Sequence, residues 1–128
     1  MLAKRPFNYT VLRVVPHVER EEFVNAGVVV FCDALDFLAA RVALDERRLL
    51  SLAPDADLDL LRRHLEAVPL ICSGNALAGP IGELPLRERW QWLASPRSTV
   101  LQTSPPHTGL CEHPQLELER LLELLVLR

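Results

Sequence analysis

The most continuous apolar run in the chain reads Ala26-Gly27-Val28-Val29-Val30-Phe31-Cys32. β-Branched and aromatic side chains favour strands, and a run that is apolar at every position is typical of a strand covered on both faces. Gly27 inside the run indicates a bulge or a close approach of another backbone segment. We therefore expect this stretch to be the central strand of a sheet.

Two segments on either side of this run also have strand character. Residues Asn8–Val15 alternate, with Thr10, Leu12 and Val14 on one face of the predicted strand. Residues Phe37–Leu44 alternate in the same way. Because the connections between the three segments are short, they predict an antiparallel meander.

The remainder of the chain is dominated by helix signals. Apolar residues spaced three or four apart form one stripe over Leu58, Leu61, Leu65, Val68 and Cys72. The predicted helices cover Asp45–Leu52 and Asp55–Leu70, with a further short helix starting at Pro85 and a last one at Pro114. A fourth strand is predicted over Ser98–Thr103.

These elements predict an α+β fold in one domain that spans residues 1–128, with the order β-β-β-α-α-α-β-α. We expect a single, mainly antiparallel sheet of about four strands with the helices packed on one face. That face would carry Leu12, Val14 and Leu38. The opposite face would carry Arg13 and Arg41.

Composition narrows the classes of function. The chain of 128 residues is 49% hydrophobic and has a net charge of −3 without a basic tract, so we expect a real core and no binding to duplex nucleic acid. Cys32, Cys72 and Cys111 are far apart and odd in number, which favours free thiols and a cytoplasmic location. No signal peptide or membrane-spanning run is evident. We expect no cofactor and no metal, since neither a nucleotide-binding motif nor four suitably spaced metal ligands occur.

Polar residues concentrate in two stretches, and they predict a ligand or partner surface. Arg13, Arg97, Ser98 and Gln102 lie in or next to predicted strands, where guanidinium groups could hold an anion. The predicted surface also includes Arg20, Glu22, Asn25 and His107. A solvated sheet face is the alternative interpretation of the same pattern.

The alternation of side chains between the two faces of a strand suggests how the two polar stretches meet. A fourth strand that pairs with the first would make Arg13 and Gln102 cross-strand neighbours. Arg97 would then reach over the same end of the sheet. Two guanidinium groups on one patch need an anion, a partner or an internal carboxylate, and Glu22 is the internal candidate.

Three blocks of this sequence resemble the bacterial family of proteins of unknown function DUF3037. They are Tyr9-Thr-Val-Leu-Arg13-Val-Val-Pro16, Arg20-Glu-Glu22-Phe-Val-Asn25-Ala-Gly27-Val-Val-Val-Phe31 and Ser95-Pro-Arg97-Ser98-x-x-x-Gln102-Thr-Ser104-Pro105-x-His107-x-Gly109. The resemblance implies an association with a HipA-like serine/threonine kinase, and it implies no catalytic residues.

Two hypotheses of function follow. The first is a non-catalytic accessory or binding module, with a HipA-like kinase as a possible partner. The second is a small enzyme acting on a phosphorylated or nucleotide-like ligand, with Glu22 or His107 as acid–base groups. An enzyme should gather Glu22, Asn25, Arg97 and His107 around one concave pocket, whereas a binding module should spread them over a surface.

Overall fold

The computed structural model describes residues 3–97 and 99–128. The strands are β1 (Arg5–Val14), β2 (Val24–Cys32), β3 (Phe37–Val42), β4 (Leu101–Thr103) and β5 (His107–Cys111). The α-helices are α1 (Glu46–Leu52), α2 (Leu58–Ser73), α3 (Leu86–Ala94) and α4 (Pro114–Leu122), and a π-helical turn, Glu123–Leu127, extends α4. Short 3₁₀ segments lie at Val18–Arg20, Asp33–Leu35 and Ala76–Glu83. The predicted α+β class is confirmed.

The sheet has the order β3-β2-β1, and both β4 and β5 pair with the remaining edge of β1. Every pairing is antiparallel. β4 lies beside Leu12–Val14, whereas β5 lies beside Arg5–Tyr9. The predicted meander of the first three strands is confirmed, and the fourth strand pairs with the first.

The described part of the chain has five strands, where the sequence predicted about four. The additional strand is β5, which follows Pro105 and Pro106 and exposes His107 and Leu110. It lacks a clear alternation of apolar and polar residues, so its own sequence gives little strand signal. Pairing with β1 defines it instead, and Gly109 lets the ring of Phe7 approach its backbone closely.

Helix ends follow the capping residues in the sequence. The carboxylate of Asp45 accepts a hydrogen bond from the backbone N–H of Arg48 at the start of α1, and Asp57 caps α2 in the same way. Pro114 occupies the first turn of α4, where a missing N–H costs nothing. Among the helices of the described residues, we find none that combines the length and the apolar character needed to cross a bilayer.

One face of the sheet packs against α1, α2 and α3. Its core includes Leu12 and Val14 from β1, Leu49 from α1, Leu61 from α2 and Leu93 from α3, all buried. This is the face on which the helices were expected, and the apolar stripe of α2 faces the sheet as predicted.

The structure corrects the expectation that all helices pack on that one face. A second core on the opposite face joins Val28 and Val30 of β2 to Leu118 and Leu121 of α4. The side chains of Arg13 and Arg41 made this face look solvated in the sequence. Arg41 instead reaches across it to Glu119 of α4, 2.5 Å away.

A β-bulge at Ala26, next to Gly27, determines which residues of β1 and β2 lie opposite each other at this end of the sheet. Leu12 pairs with Gly27, but the next residue of β1, Arg13, pairs with Asn25, so Ala26 is the extra residue. Without the bulge, Arg13 would lie opposite Ala26. The bulge therefore brings the side chains of Arg13 and Asn25 side by side.

Candidate arginine–aromatic cavity

A cavity of about 400 Å³ opens at the end of the sheet where β1 pairs with β4. Arg13 lies directly opposite Gln102 there, as parity predicted. The amide of Gln102 donates to the backbone carbonyl of Thr99, 2.9 Å away, which fixes its orientation. We call it the arginine–aromatic cavity, and it is lined by Arg13, Val15, Val18, Glu21, Phe23, Arg97 and Gln102.

The guanidinium of Arg13 is held by stacking. Its central carbon lies 4.3 Å from the centroid of the Phe23 ring, a distance typical of a cation–π contact. Nε of Arg13 is buried and has no hydrogen-bond partner among the described residues. The two terminal nitrogens make no hydrogen bond to these residues either, and they are not among the buried unpaired atoms of a side chain that lines the cavity. Arg13 thus presents unused donors to a ligand.

Asn25 has a mixed role beside Arg13. Its amide donates to the backbone carbonyl of Leu125, 3.1 Å away, and so ties β2 to the C-terminal helical segment. Its Oδ1 is buried without a partner in the described structure. Both this acceptor and the Nε of Arg13 belong to residues paired across β1 and β2, and a buried polar atom without a partner is costly unless another polar group satisfies it.

Arg97 approaches the cavity from the end of α3. Its guanidinium stacks on Trp92 at 4.2 Å and donates to the backbone carbonyls of Leu93 and Trp92. These contacts satisfy carbonyls that the helix end leaves open, so Arg97 also has a structural role. Burial lowers the pKa of Arg97 below its ordinary value. A nearby anion would offset that cost of desolvation.

The cavity is rich in positive charge without an internal ion pair. Glu22, the internal candidate for neutralising the arginines, pairs with Arg20 at 2.6 Å on an exposed loop. Neither Arg13 nor Arg97 forms a salt bridge within residues 3–97 and 99–128. Glu21 lines the cavity but pairs with neither of them.

The predicted site residues are only partly brought together. Arg13, Arg97 and Gln102 share the cavity, and Asn25 adjoins Arg13. His107 instead pairs with Tyr9, four residues away from Arg13 along β1, which corresponds to about 13 Å. Its ring stacks on Tyr9 and is exposed. The prediction for Ser98 lies outside the described residues.

Sequence reasoning missed the apolar rim of the cavity. Val18 and Phe23, which line the cavity, expose 36% and 43% of their surfaces. Trp92, which stacks on Arg97 from outside the cavity lining, exposes 39%. Phe23 could have been predicted as a contact residue from its position directly before β2, because an aromatic residue beside a polar turn is not needed for the core. The stacking of Arg13 on Phe23 depends on the bulge, and neither residue's neighbours in the sequence indicate it.

The fold and the site define a small α+β domain with an arginine–aromatic cavity at one end of its sheet. Residues 9–126 match the family described as "Protein of unknown function (DUF3037)". The match covers nearly the whole chain, so the chain belongs to this family. No curated protein and no solved structure gives a significant match to it.

Proposed function

We propose that this protein is a non-catalytic accessory module that binds a protein partner at the arginine–aromatic cavity. The observation that carries the proposal is the pair of stacked guanidinium groups, Arg13 on Phe23 and Arg97 on Trp92, beside one cavity without a salt bridge in the described structure. The ligand is an acidic side chain or a terminal carboxylate of the partner.

The chemistry of the cavity suits protein recognition. Arginine and aromatic side chains are enriched at the energetic centres of protein interfaces, where rigid rings exclude water from charged contacts. Stacking fixes each guanidinium plane before binding, which lowers the entropy lost when a carboxylate is bound. The terminal nitrogens of Arg13 can grip a carboxylate with two parallel hydrogen bonds.

The positions of the acid–base candidates favour a binding module over the alternative of a small enzyme. Glu22 is engaged by Arg20 on the exposed loop, and His107 lies on β5 beside Tyr9. General acid–base catalysis requires such groups within hydrogen-bond reach of the reacting atoms. These two groups do not line the cavity that holds Arg13 and Arg97.

The partner we propose is a HipA-like kinase. The support for it is the family resemblance, and the cavity adds only the requirement that the contacting segment carry a carboxylate. An acidic loop or tail of the kinase would meet that requirement.

The test is a titration of the purified kinase with this protein by calorimetry. Arg13→Gln retains part of the side-chain stem but removes the charge, and we expect it to weaken binding at least tenfold, since charge-assisted contacts contribute about 1.5–3 kcal/mol. The matched control is Arg63→Gln on the exposed surface of α2, which should bind like the wild-type protein.

Equal binding by the Arg13→Gln and Arg63→Gln variants would contradict the role of the cavity. Absence of binding by the wild-type protein would exclude the kinase as partner. Turnover of a nucleotide or a phosphorylated compound by the protein alone, lost in Arg13→Gln, would favour the enzyme instead.

A further inference from the structure

A second cavity lies between α2, α3 and the sheet, and we call it the α2–α3 cavity. It has a volume of about 160 Å³. Its inner wall is formed by Leu12 of β1, Val68 and Ile71 of α2 and Leu93 of α3, which are all buried core residues. The packing of the two helices on the sheet therefore leaves a space that reaches into the core.

The volume and the lining of the α2–α3 cavity define the apolar part of a ligand. Apolar cavities of about 150 Å³ stay dry and bind molecules of the size of benzene. A water molecule needs at least two polar partners in such a space, and the inner wall offers it aliphatic side chains. The cavity is therefore suited to one apolar group with about the volume of an aromatic ring.

Polar side chains line the outer end of the α2–α3 cavity. His64 and Thr99 are exposed there, and Arg97 is half-buried. The bonds from Arg97 to the carbonyls of Leu93 and Trp92 engage two of its five N–H groups in the described structure. None of the described residues that line this cavity is an aspartate or a glutamate. The outer end thus has a positive charge that the cavity itself does not balance.

We propose that the α2–α3 cavity binds a small monocarboxylate that carries one apolar group of about the size of a benzene ring. The apolar group occupies the space beside Val68 and Leu93, and the carboxylate contacts Arg97. One guanidinium balances one negative charge, and its planar fork matches the two oxygens of a carboxylate. Burial lowers the pKa of Arg97, and a bound anion would offset this cost of desolvation.

The α2–α3 cavity differs from the arginine–aromatic cavity in both position and lining. Leu12 and Arg13 are adjacent in β1, so their side chains point to opposite faces of the sheet, and each lines a different one of the two cavities. Arg97 lines both. The inference does not rest on the proposed protein partner, because a small ligand in the α2–α3 cavity is detected directly by the residues that respond to it.

A titration of the isotope-labelled full chain with benzoate, followed by amide NMR spectra, tests the proposal. We expect saturable shifts of the Val68, Ile71 and Leu93 signals with a Kd of about 1 mM, an ordinary affinity for a ligand of this size. Acetate lacks the ring and benzyl alcohol lacks the charge, so each should bind at least tenfold more weakly. The proposal would be overturned by equal binding of benzyl alcohol, by shifts at Val18 and Phe23 instead, or by no saturable shift.

Two variants test the two parts of the site separately. Ala67 of α2 is half-buried and lines the cavity, so Ala67→Leu should fill the space and abolish saturable binding. Arg97→Gln removes the charge and should weaken benzoate binding at least tenfold, while the weaker binding of benzyl alcohol stays the same. That selective loss distinguishes a lost carboxylate contact from a general loss of structure.

The matched controls are Ala76→Leu on the exposed 3₁₀ segment and Arg63→Gln on the exposed surface of α2. Both should bind benzoate like the wild-type protein. Each variant tests the site independently, so the test remains if one of them does not fold. Benzoate binding by Ala67→Leu as tight as by Ala76→Leu, or by Arg97→Gln as tight as by Arg63→Gln, would show that benzoate does not occupy this cavity.

Discussion

Arg13 and Gln102 lie directly opposite each other on β1 and β4, at the end of the sheet where the arginine–aromatic cavity opens. Gln102 is neutral, so it leaves the charge of Arg13 available. A carboxylate at the same position would neutralise Arg13 from within the protein. The neutral residue therefore keeps the proposed binding site open.

Gln102→Glu should close the site without unfolding the protein. The new carboxylate gains a cross-strand ion pair with Arg13, about 0.2–1 kcal/mol, and loses the hydrogen bond to Thr99, about 0.5–1.5 kcal/mol. We expect the free energy of unfolding to change by less than about 1 kcal/mol in a urea titration. Binding of the partner should fall at least tenfold in calorimetry.

Gln91→Glu on the exposed side of α3 makes the same chemical change away from Arg13 and serves as the control. If Gln102→Glu bound the partner as tightly as this control, the guanidinium of Arg13 would not be the anchoring group.

Neighbouring leucines of α2 should differ sharply in their contribution to stability. Leu61 is 6% exposed and packs in the core on the sheet, whereas Leu60 is 39% exposed. Leu61→Ala should cost about 2–5 kcal/mol through lost burial and the remaining cavity. Leu60→Ala should stay within about 0.5 kcal/mol of the wild-type free energy of unfolding. Similar losses in denaturant titrations would mean that α2 presents a different face to the sheet.

The local sequence was sufficient to predict the helices and strands whose signals lie within their own residues. The apolar run Ala26–Cys32 formed β2, Asp45 capped α1 and Pro114 started α4. The alternation of side-chain direction along a strand was also enough to predict that Arg13 and Gln102 could lie opposite each other, because β1 was an edge of the predicted meander. Each of these features depends on a period or a residue type that is visible within a few positions.

The features that were missed depend on long-range pairing. Strand β5 exists because β1 extends beyond the part that β4 covers, and nothing within His107–Cys111 reports the length of β1. The packing of α4 on the second face was hidden because Arg41 resembles a solvated residue until Glu119 is placed beside it. Likewise, the stacking of Arg13 on Phe23 follows from the bulge. Gly27 indicated where a bulge could lie, but it did not indicate how the bulge would shift the register of β1 and β2.

Gly27→Ala should destabilise the protein through the β2–β3 ladder. A Cβ atom at Gly27 would lie 2.7 Å from the backbone oxygen of Arg41 and 2.9 Å from Cδ1 of Leu12. The backbone oxygen cannot rotate away, so the strands must separate locally, at a cost of about 1–3 kcal/mol. Thermal unfolding followed by circular dichroism measures the loss. A variant as stable as the wild-type protein would show that β3 can shift freely at this position.

The stability of the protein should fall at alkaline pH because of a buried thiol. Burial raises the pKa of Cys72 from 9.0 to about 12, despite the opposing influence of Arg89. Between pH 9 and pH 12 the unfolded chain loses this proton while the folded chain retains it. The unfolded state then binds fewer protons, so the free energy of unfolding falls as pH rises, by up to about 1.4 kcal/mol per pH unit.

Cys72→Ala isolates this contribution, because Cys111, whose pKa burial also raises, is present in both proteins. At about pH 8 the variant should be less stable than the wild-type protein through loss of a buried side chain. Raising the pH to about 10.5 should reduce this difference by about 2 kcal/mol, because only the wild-type protein has a Cys72 thiol, whose ionisation in the unfolded chain favours unfolding. Urea titrations at the two pH values measure the difference. A difference that stays constant would mean that the Cys72 thiol ionises in the folded protein as readily as in the unfolded chain.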